Sequence, residues 1–217
     1  EELPISTLLS GPAAGVNGAF SLAQAVNESQ IITLDIGGTS TDIALCDKEL
    51  PYRTNLIIEG IHARTPAVDI HTVGAGGGSI AYLDTGGALR VGPRSTGSFP
   101  GPACYGNSRE LSVPAFSVTD AHAILGRLSQ DHFLADSLEI DLDESERAAE
   151  PFLNVFNDKF EFAQAVIDVT NANIERAVRV VSVQKGFNPN QFTLVPFGGA
   201  GPLHACDVAE TLNIDKI

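Results

Sequence analysis

Two apolar runs, 31–36 and 42–47, are separated only by Gly37-Gly38-Thr39-Ser40-Thr41. Ile31, Ile32, Leu34 and Ile36 before the break, and Ile43, Ala44 and Leu45 after it, read as a buried strand, a tight turn and a second strand. No other segment restricts the fold as much. The turn is also chemically loaded. Glycine lets a ligand approach the main chain without a Cβ in the way, and the N–H groups of such a turn suit phosphate oxygens. Thr39, Ser40 and Thr41 add three hydroxyls, and Asp35 and Asp42 stand at the two edges. A carboxylate ending an apolar strand is costly unless it meets a cation, a water or a donor. A nucleotide phosphate with Mg²⁺ satisfies loop and carboxylates together. A plain Gly-Gly hairpin is the competing reading.

Composition narrows the partners. The 217 residues make one large domain or two small ones, and 43% apolar with 18% charged residues marks a globular chain. A formal charge of −14 argues against nucleic acid, whose binders need a positive face. It leaves ATP open, because one metal ion and local amides offset the charge. No apolar run approaches the roughly 20 residues of a membrane span, and no signal peptide opens the chain, so no membrane partner is expected. Cys46, Cys104 and Cys206 are few, odd in number and far apart, which fits a reducing cytoplasm. The chain has no methionine and opens Glu-Glu-Leu-Pro, which reads as a piece of a longer protein.

The small residues from Ser10 to about Val26 suit a helix packed on a sheet, with Pro12 in its first turn. Strands follow near 31–36, 42–47 and 54–61. A glycine-dense region runs from Gly74 to Gly106. It holds a hairpin of 80–83 with 89–91, and its Pro93, Pro100 and Pro102 favour a fixed surface excursion. Thr119-Asp120 starts a short helix to about Leu128, and Asp143 with Glu146 resembles a capping box. The longest helical pattern spans 160–185, with Gly186 as its C′ residue. A buried strand, 192–197, then runs into Gly198-Gly199-Ala200-Gly201 and a last helix to about Leu212.

Three glycine loops thus close apolar strands: 37–41, 74–78 and 198–201. Singly each is a turn; together they mark the strand ends where ligands of α/β sheets collect. Neither a P-loop nor a Gly-x-Gly-x-x-Gly fingerprint is present. Asp69 and His71 alternate along an extended run, so both can face one side. With Asp120, His122 or His204 they form a candidate metal or acid–base cluster, or His71 and His204 are simply hydrogen-bonded near the cleft. Cys104 is a candidate nucleophile with no base nearby in sequence, or a packed thiol. Arg90 and Arg94 reach an anion or pair with local acids.

At this point the order of segments resembles the two-lobed ATPases of the actin, Hsp70 and sugar-kinase superfamily, and more narrowly the hydantoinase A/5-oxoprolinase family. The motifs that carry it are Ser10-Gly11-Pro12-Ala13-Ala14-Gly15, the turn from Asp35 to Asp42, and Asp69-Ile70-His71-Thr72-Val73-Gly74-Ala75-Gly76-Gly77-Gly78-Ser79. They continue in Pro100-Gly101-Pro102-Ala103-Cys104-Tyr105-Gly106, Thr119-Asp120-Ala121 and Phe197-Gly198-Gly199-Ala200-Gly201-Pro202-Leu203-His204. Nearly the whole chain is covered, with a departure at 107–117.

The resemblance implies an α/β, ribonuclease-H-like lobe: a mixed sheet flanked by helices, with a glycine-rich insertion at about 74–118. Residues 1–217 then form a single C-terminal lobe, and the N-terminal lobe, which completes the nucleotide clamp, lies outside the chain. It further implies ATP with Mg²⁺ as cofactors. Asp35 and Asp42 hold the metal, and Asp35, Asp42 and Asp69 act in catalysis. Gly37, Gly38, Thr39, Ser40, Thr41, Gly76, Gly77, Gly198, Gly199 and Gly201 contact the nucleotide. The implied activity is ATP-dependent hydrolysis of a small cyclic amide or imide of hydantoin or 5-oxoproline type, alongside a companion hydantoinase B-type subunit. The alternatives are an ATP-dependent ketone carboxylase subunit and a nucleotide-switched binding module. The lobe alone is expected to be inactive.

Overall fold

The two apolar runs form the centre of the sheet. The computed structural model describes residues 10–54, 56–58, 61–63, 66–129 and 139–217. In chain order the first elements are α1 (Ser10–Ala25), β1 (Gln30–Ile36), β2 (Thr41–Asp47), β3 (Tyr52–Arg53), β4 (Leu56–Ile58), β5 (Ile61–Ala63), β6 (Ala67–Val68) and β7 (His71–Val73). Then come β8 (Ser79–Leu83), β9 (Leu89–Ser95), α2 (Val118–Ile124), α3 (Leu142–Ala149), α4 (Lys159–Val181), β10 (Thr193–Phe197) and α5 (Gly201–Leu212).

The main sheet is mixed, in the order β10-β1-β2-β7. β1 and β2 pair antiparallel along their whole length, β10 lies parallel to β1, and β7 continues the antiparallel side. Both sheet faces are covered, as strands this apolar require. Ile32, Leu34, Ile36, Ile43 and Leu45 pack on α4 and α5 through Ile174, Val178, Val208 and Leu212. On the opposite face, Ile31, Ala44 and Cys46 pack on Val16, Ala19, Phe20 and Ala23 of α1. A second apolar centre lies under the glycine-dense insertion, around Phe116, Val118, Ala121, Phe162, Val166 and Ile167, with the Phe116 and Phe162 rings 4.7 Å apart. α4 serves both, its first half against the insertion and its second half against the sheet.

Four expectations change. The strand expected at 54–61 is a pair, β4 with β5, and residues 55, 59 and 60 lie outside the described residues. The cap of α3 is Asp141, whose carboxylate accepts from Glu144 N–H, not a box from Asp143 to Glu146; the reciprocal box belongs to Ser117 and Asp120 at α2. α4 stops at Val181, where the Ser182 hydroxyl donates to Val178 C=O, and Gly186 closes a following 3-10 turn in the left-handed conformation. Lastly, 100–106 is no surface excursion. Ala103 and Cys104 are fully buried, because their N–H groups donate to the buried Asp120 carboxylate at 3.2 and 2.7 Å. β9 also runs through Pro93.

Candidate nucleotide-phosphate site

The β1–β2 register sets Asp35 opposite Asp42 and Ile36 opposite Thr41, so residues 37–40 form the turn. Gly37 N–H donates to Ser40 C=O at 3.0 Å and closes it. Thr41 is buried and its hydroxyl donates to Ala75 C=O, which makes it a structural member of the three hydroxyls. Among the described residues, nothing accepts from the N–H groups of Gly38, Thr39 and Ser40 or from the hydroxyls of Thr39 and Ser40. Five donors at one solvent-facing tip are therefore left for a ligand.

The second glycine loop holds that tip in place. Gly77 N–H donates to Gly37 C=O at 2.9 Å, Gly78 N–H to Gly38 C=O at 2.6 Å, and Gly76 N–H to the Ser79 hydroxyl at 2.8 Å. A Cβ at Gly76 would lie 2.7 Å from Ser40 N and 2.8 Å from Gly37 O. Glycine is required by this close approach of two backbones. The structure thus places Gly76 and Gly77 behind the turn with their donors already spent, so they brace the tip instead of offering N–H groups to a phosphate.

Asp35 is half-buried between Gly15 of α1 and Gly198 of the third loop. A Cβ on Gly198, whose φ is +78°, would come within 2.3 Å of Asp35 Oδ1. Among the described residues the Asp35 carboxylate accepts no hydrogen bond and meets no cation. Burial raises its pKa above the ordinary carboxylate value, and the Asp42 charge raises it further. Asp42 accepts from the Thr72 hydroxyl at 2.5 Å. The third loop is tied to β1 by Ala200 N–H donating to Ile36 C=O at 3.0 Å, and Gly201 passes over Leu34 C=O. α5 starts here without a side-chain cap, which leaves its N-terminal donors and positive dipole end at the same strand ends.

Comparison with known proteins decides the family. The hydantoinase/oxoprolinase model matches residues 1–217. The chain belongs to the hydantoinase/oxoprolinase family. It is 38% identical over 224 residues to the 5-oxoprolinase PfmaA of Pestalotiopsis fici, covering 97% of this chain and 17% of that protein. Among solved structures it resembles a nucleotide-free acetone carboxylase with a TM-score of 0.83 and 31% identity, over 96% of this chain and 29% of that one. It also resembles the ATP-dependent caprolactamase of Pseudomonas jessenii, with a TM-score of 0.81 and 34% identity over 94% of this chain and 30% of that one. The chain spans between 17% and 33% of the length of the curated relatives it matches.

The family's remaining motif residues fall in different places. Asp69 is not brought to Asp35. It lies past the paired stretch of β7 on the Leu45 side, where its carboxylate takes Lys185 at 2.6 Å and Arg53 at 3.4 Å. His71 lines a separate cavity of about 340 Å³ with Asn173 and Arg176. Asp120 is a hub: fully buried, it accepts from Ala103, Cys104 and Ser117 N–H and from the Ser117 and Ser145 hydroxyls. Cys104 is a packed thiol whose pKa burial drives far upward. Arg90 pairs with Asp84, and Arg94 lies over the Tyr82 ring. No group of three metal-ligating side chains occurs among the described residues, so the Asp69/His71/His122 cluster does not assemble. His122 and His204 do meet, with their Nε2 atoms 3.1 Å apart. No helix among the described residues is long and apolar enough to cross a membrane. Sequence reasoning missed Gly15 beside Asp35, although it stands in the Gly-Pro-Ala-Ala-Gly motif, and it missed Tyr105, Leu128 and Leu203, which line a cavity behind the turn.

Proposed function

We propose that this chain is one ribonuclease-H-like lobe of a longer, two-lobed enzyme that uses ATP to open a small cyclic amide. The observation that carries it is the tip at 38–40, where five donors find no acceptor among the described residues, beside a carboxylate that meets no donor among them. Charged acceptors make such bonds worth about 1.5–3 kcal/mol each, and a phosphate is the common ligand with enough oxygens to take them all. The α5 N-terminus adds favourable field, and the 5-oxoprolinase and caprolactamase relatives supply the substrate class.

The residues fit a divalent cation. Asp35 and Asp42 offer only oxygen, in the hard-ligand pattern that Mg²⁺ prefers, and Gly15 and Gly198 leave space where a Cβ would stand against Asp35. Bound there, Mg²⁺ would neutralise phosphate charge during transfer. The chain's own part is to hold the phosphates through Gly38, Thr39 and Ser40. Gly199 and Gly201 lie where the nucleoside approaches, and a first lobe closes the site. A companion hydantoinase B-type subunit completes the reaction. Asp69, committed to two cations, is assigned no catalytic part.

The likeness to acetone carboxylase favours one second reading, an ATP-dependent ketone carboxylase subunit. ATP consumption by the parent protein and its companion subunit separates the two: stimulation by 5-oxoproline, hydantoin or caprolactam marks the amidohydrolase, and acetone with bicarbonate marks the carboxylase. In either case Asp35→Ala abolishes turnover. Unchanged nucleotide affinity and turnover in that variant would end the proposal.

A further inference from the structure

The cavity beside β7 is built from different parts than the phosphate site. Its volume is about 340 Å³, at the small end of the roughly 300–1,000 Å³ of ligand sites. Its walls are β7, residues 91–93 of β9 and one stripe of α4. On α4, Asn173, Arg176, Ala177 and Val180 recur at three- and four-residue spacing and so fall on one face. On β7, His71 alternates with Val73, which packs on the core under α4.

The polar part of the wall offers donors. Arg176 meets no carboxylate among the described residues, and its helical neighbours three and four positions away, Ala172, Asn173, Arg179 and Val180, include no acid. Its guanidinium makes one long bond, 3.4 Å to the Asn173 side-chain oxygen. That leaves the Asn173 NH₂ unspent among the described residues. The His71 ring is half-buried and makes no hydrogen bond among those residues, and either neutral tautomer carries one N–H. The chain holds 27 acidic against 13 basic residues, yet no acidic side chain lines this wall. The rest of the wall is apolar, with Val73, Val91, Pro93, Ala177 and Val180.

We propose that this cavity binds a small organic acid, a single carboxylate on a compact hydrocarbon body. The planar fork of Arg176 takes the carboxylate, the Asn173 NH₂ and the His71 N–H complete its hydrogen bonds, and the body lies against Val91, Pro93 and Val180. One cation matches one negative charge. An inorganic anion would meet the donors and leave the apolar wall bare, whereas a neutral hydrocarbon would leave the guanidinium without a counter-charge. The site shares no wall residue with the cavity behind the phosphate turn, so the inference does not rest on the nucleotide reading. The two sites are neighbours through one segment: Gly74 and Ala75 line the acid site, and Ala75 C=O holds the Thr41 hydroxyl at the end of the turn.

The test uses the parent protein, with 4-bromobenzoate as the acid and 4-bromobenzamide as a neutral molecule of the same shape. Calorimetric titration should show the acid binding at least about tenfold more tightly than the amide. Arg176→Gln should remove that preference, and Arg176→Lys, which keeps the charge without the fork, should retain part of it. Asp35→Ala should bind the acid as the unaltered protein does, which separates this site from the phosphate site. Crystals soaked with 4-bromobenzoate should show the anomalous peak of bromine between Val91 and Val180, and that result decides the matter even where a variant fails to fold. Equal affinity for acid and amide, an unchanged preference in Arg176→Gln, loss of acid binding in Asp35→Ala, or no bromine in this cavity would each overturn the inference.

Discussion

Gly76 and Gly38 differ in what they do, and alanine at each separates the two roles. At Gly76 an added Cβ would stand 2.7 Å from Ser40 N, 2.8 Å from Gly37 O and 2.8 Å from Thr39 C, all backbone atoms. No rotamer change relieves that. To reach ordinary contact near 3.4 Å the turn must retreat by about 0.7 Å. The retreat stretches the Gly77–Gly37 and Gly78–Gly38 bonds, now 2.9 and 2.6 Å. Two weakened hydrogen bonds at about 1 kcal/mol each and overpacking of about 1–3 kcal/mol give roughly 3–5 kcal/mol. For a domain of this size that lowers the melting temperature by roughly 10 °C. Gly38→Ala meets nothing within 4 Å and should leave stability within about 0.5 kcal/mol. Its methyl group would instead occupy the phosphate approach, weakening nucleotide binding by about tenfold or more. Scanning calorimetry and titration with a non-hydrolysable ATP analogue, both on the parent protein, read the two effects. A normal melting temperature for Gly76→Ala refutes the brace, and normal affinity for Gly38→Ala refutes the phosphate contact.

Asp69→Asn breaks two exposed ion pairs, so it should lower stability by less than about 1 kcal/mol and leave ATP turnover within twofold; a hundredfold loss of turnover would restore Asp69 to the catalytic set. Asp120→Asn puts an amide N–H against buried donors and should destabilise by about 3 kcal/mol, read as a shift in denaturant midpoint; a neutral effect would contradict the five-bond hub. Burial holds His122 and His204 neutral, at about 3 and about 4 against an ordinary 6.5, with Arg127 lowering both and Asp207 opposing it at His204. Unfolded, both take up protons as pH falls through 6.5, whereas folded they do not until it nears 4. Stability present above pH 6.5 is therefore lost between 6.5 and 4, at up to about 2.7 kcal/mol per pH unit. His122→Leu should roughly halve that slope in denaturant melts, and an unchanged slope would refute it.

Much of this was legible before any coordinates. The paired strands at 31–36 and 42–47, the long helix and the last strand–loop–helix all follow from apolar period and glycine position, because those elements bury their apolar faces in the shared core. What was not legible is which glycines bind and which brace. Gly38 and Gly76 sit in equally glycine-rich segments, and only the closeness of two backbones far apart in sequence tells them apart. The same holds for Asp69 and Asp35. Both stand at the ends of extended runs, but Lys185 and Arg53 reach Asp69 from distant elements and nothing among the described residues reaches Asp35. Taken alone, the Pro-rich 100–106 segment reads as surface because its own residues are turn formers. Asp120, some 16 residues on, pulls it inside.

The brace has a functional reason as well as a structural one. Donors that must swing into place when phosphate arrives surrender part of their binding energy to reorganisation, whereas donors fixed in advance do not. A bare β-hairpin tip of four residues would be mobile. Here its two carbonyls, Gly37 and Gly38, are anchored to the loop behind it, and Thr41 is anchored to Ala75. Those anchors use the Gly37 and Gly38 carbonyls and the Thr41 hydroxyl, and none of the N–H groups of Gly38, Thr39 or Ser40. The tip is thereby rigid on its protein side and unsatisfied on its solvent side, a combination that a turn serving only to reverse the chain has no need to maintain.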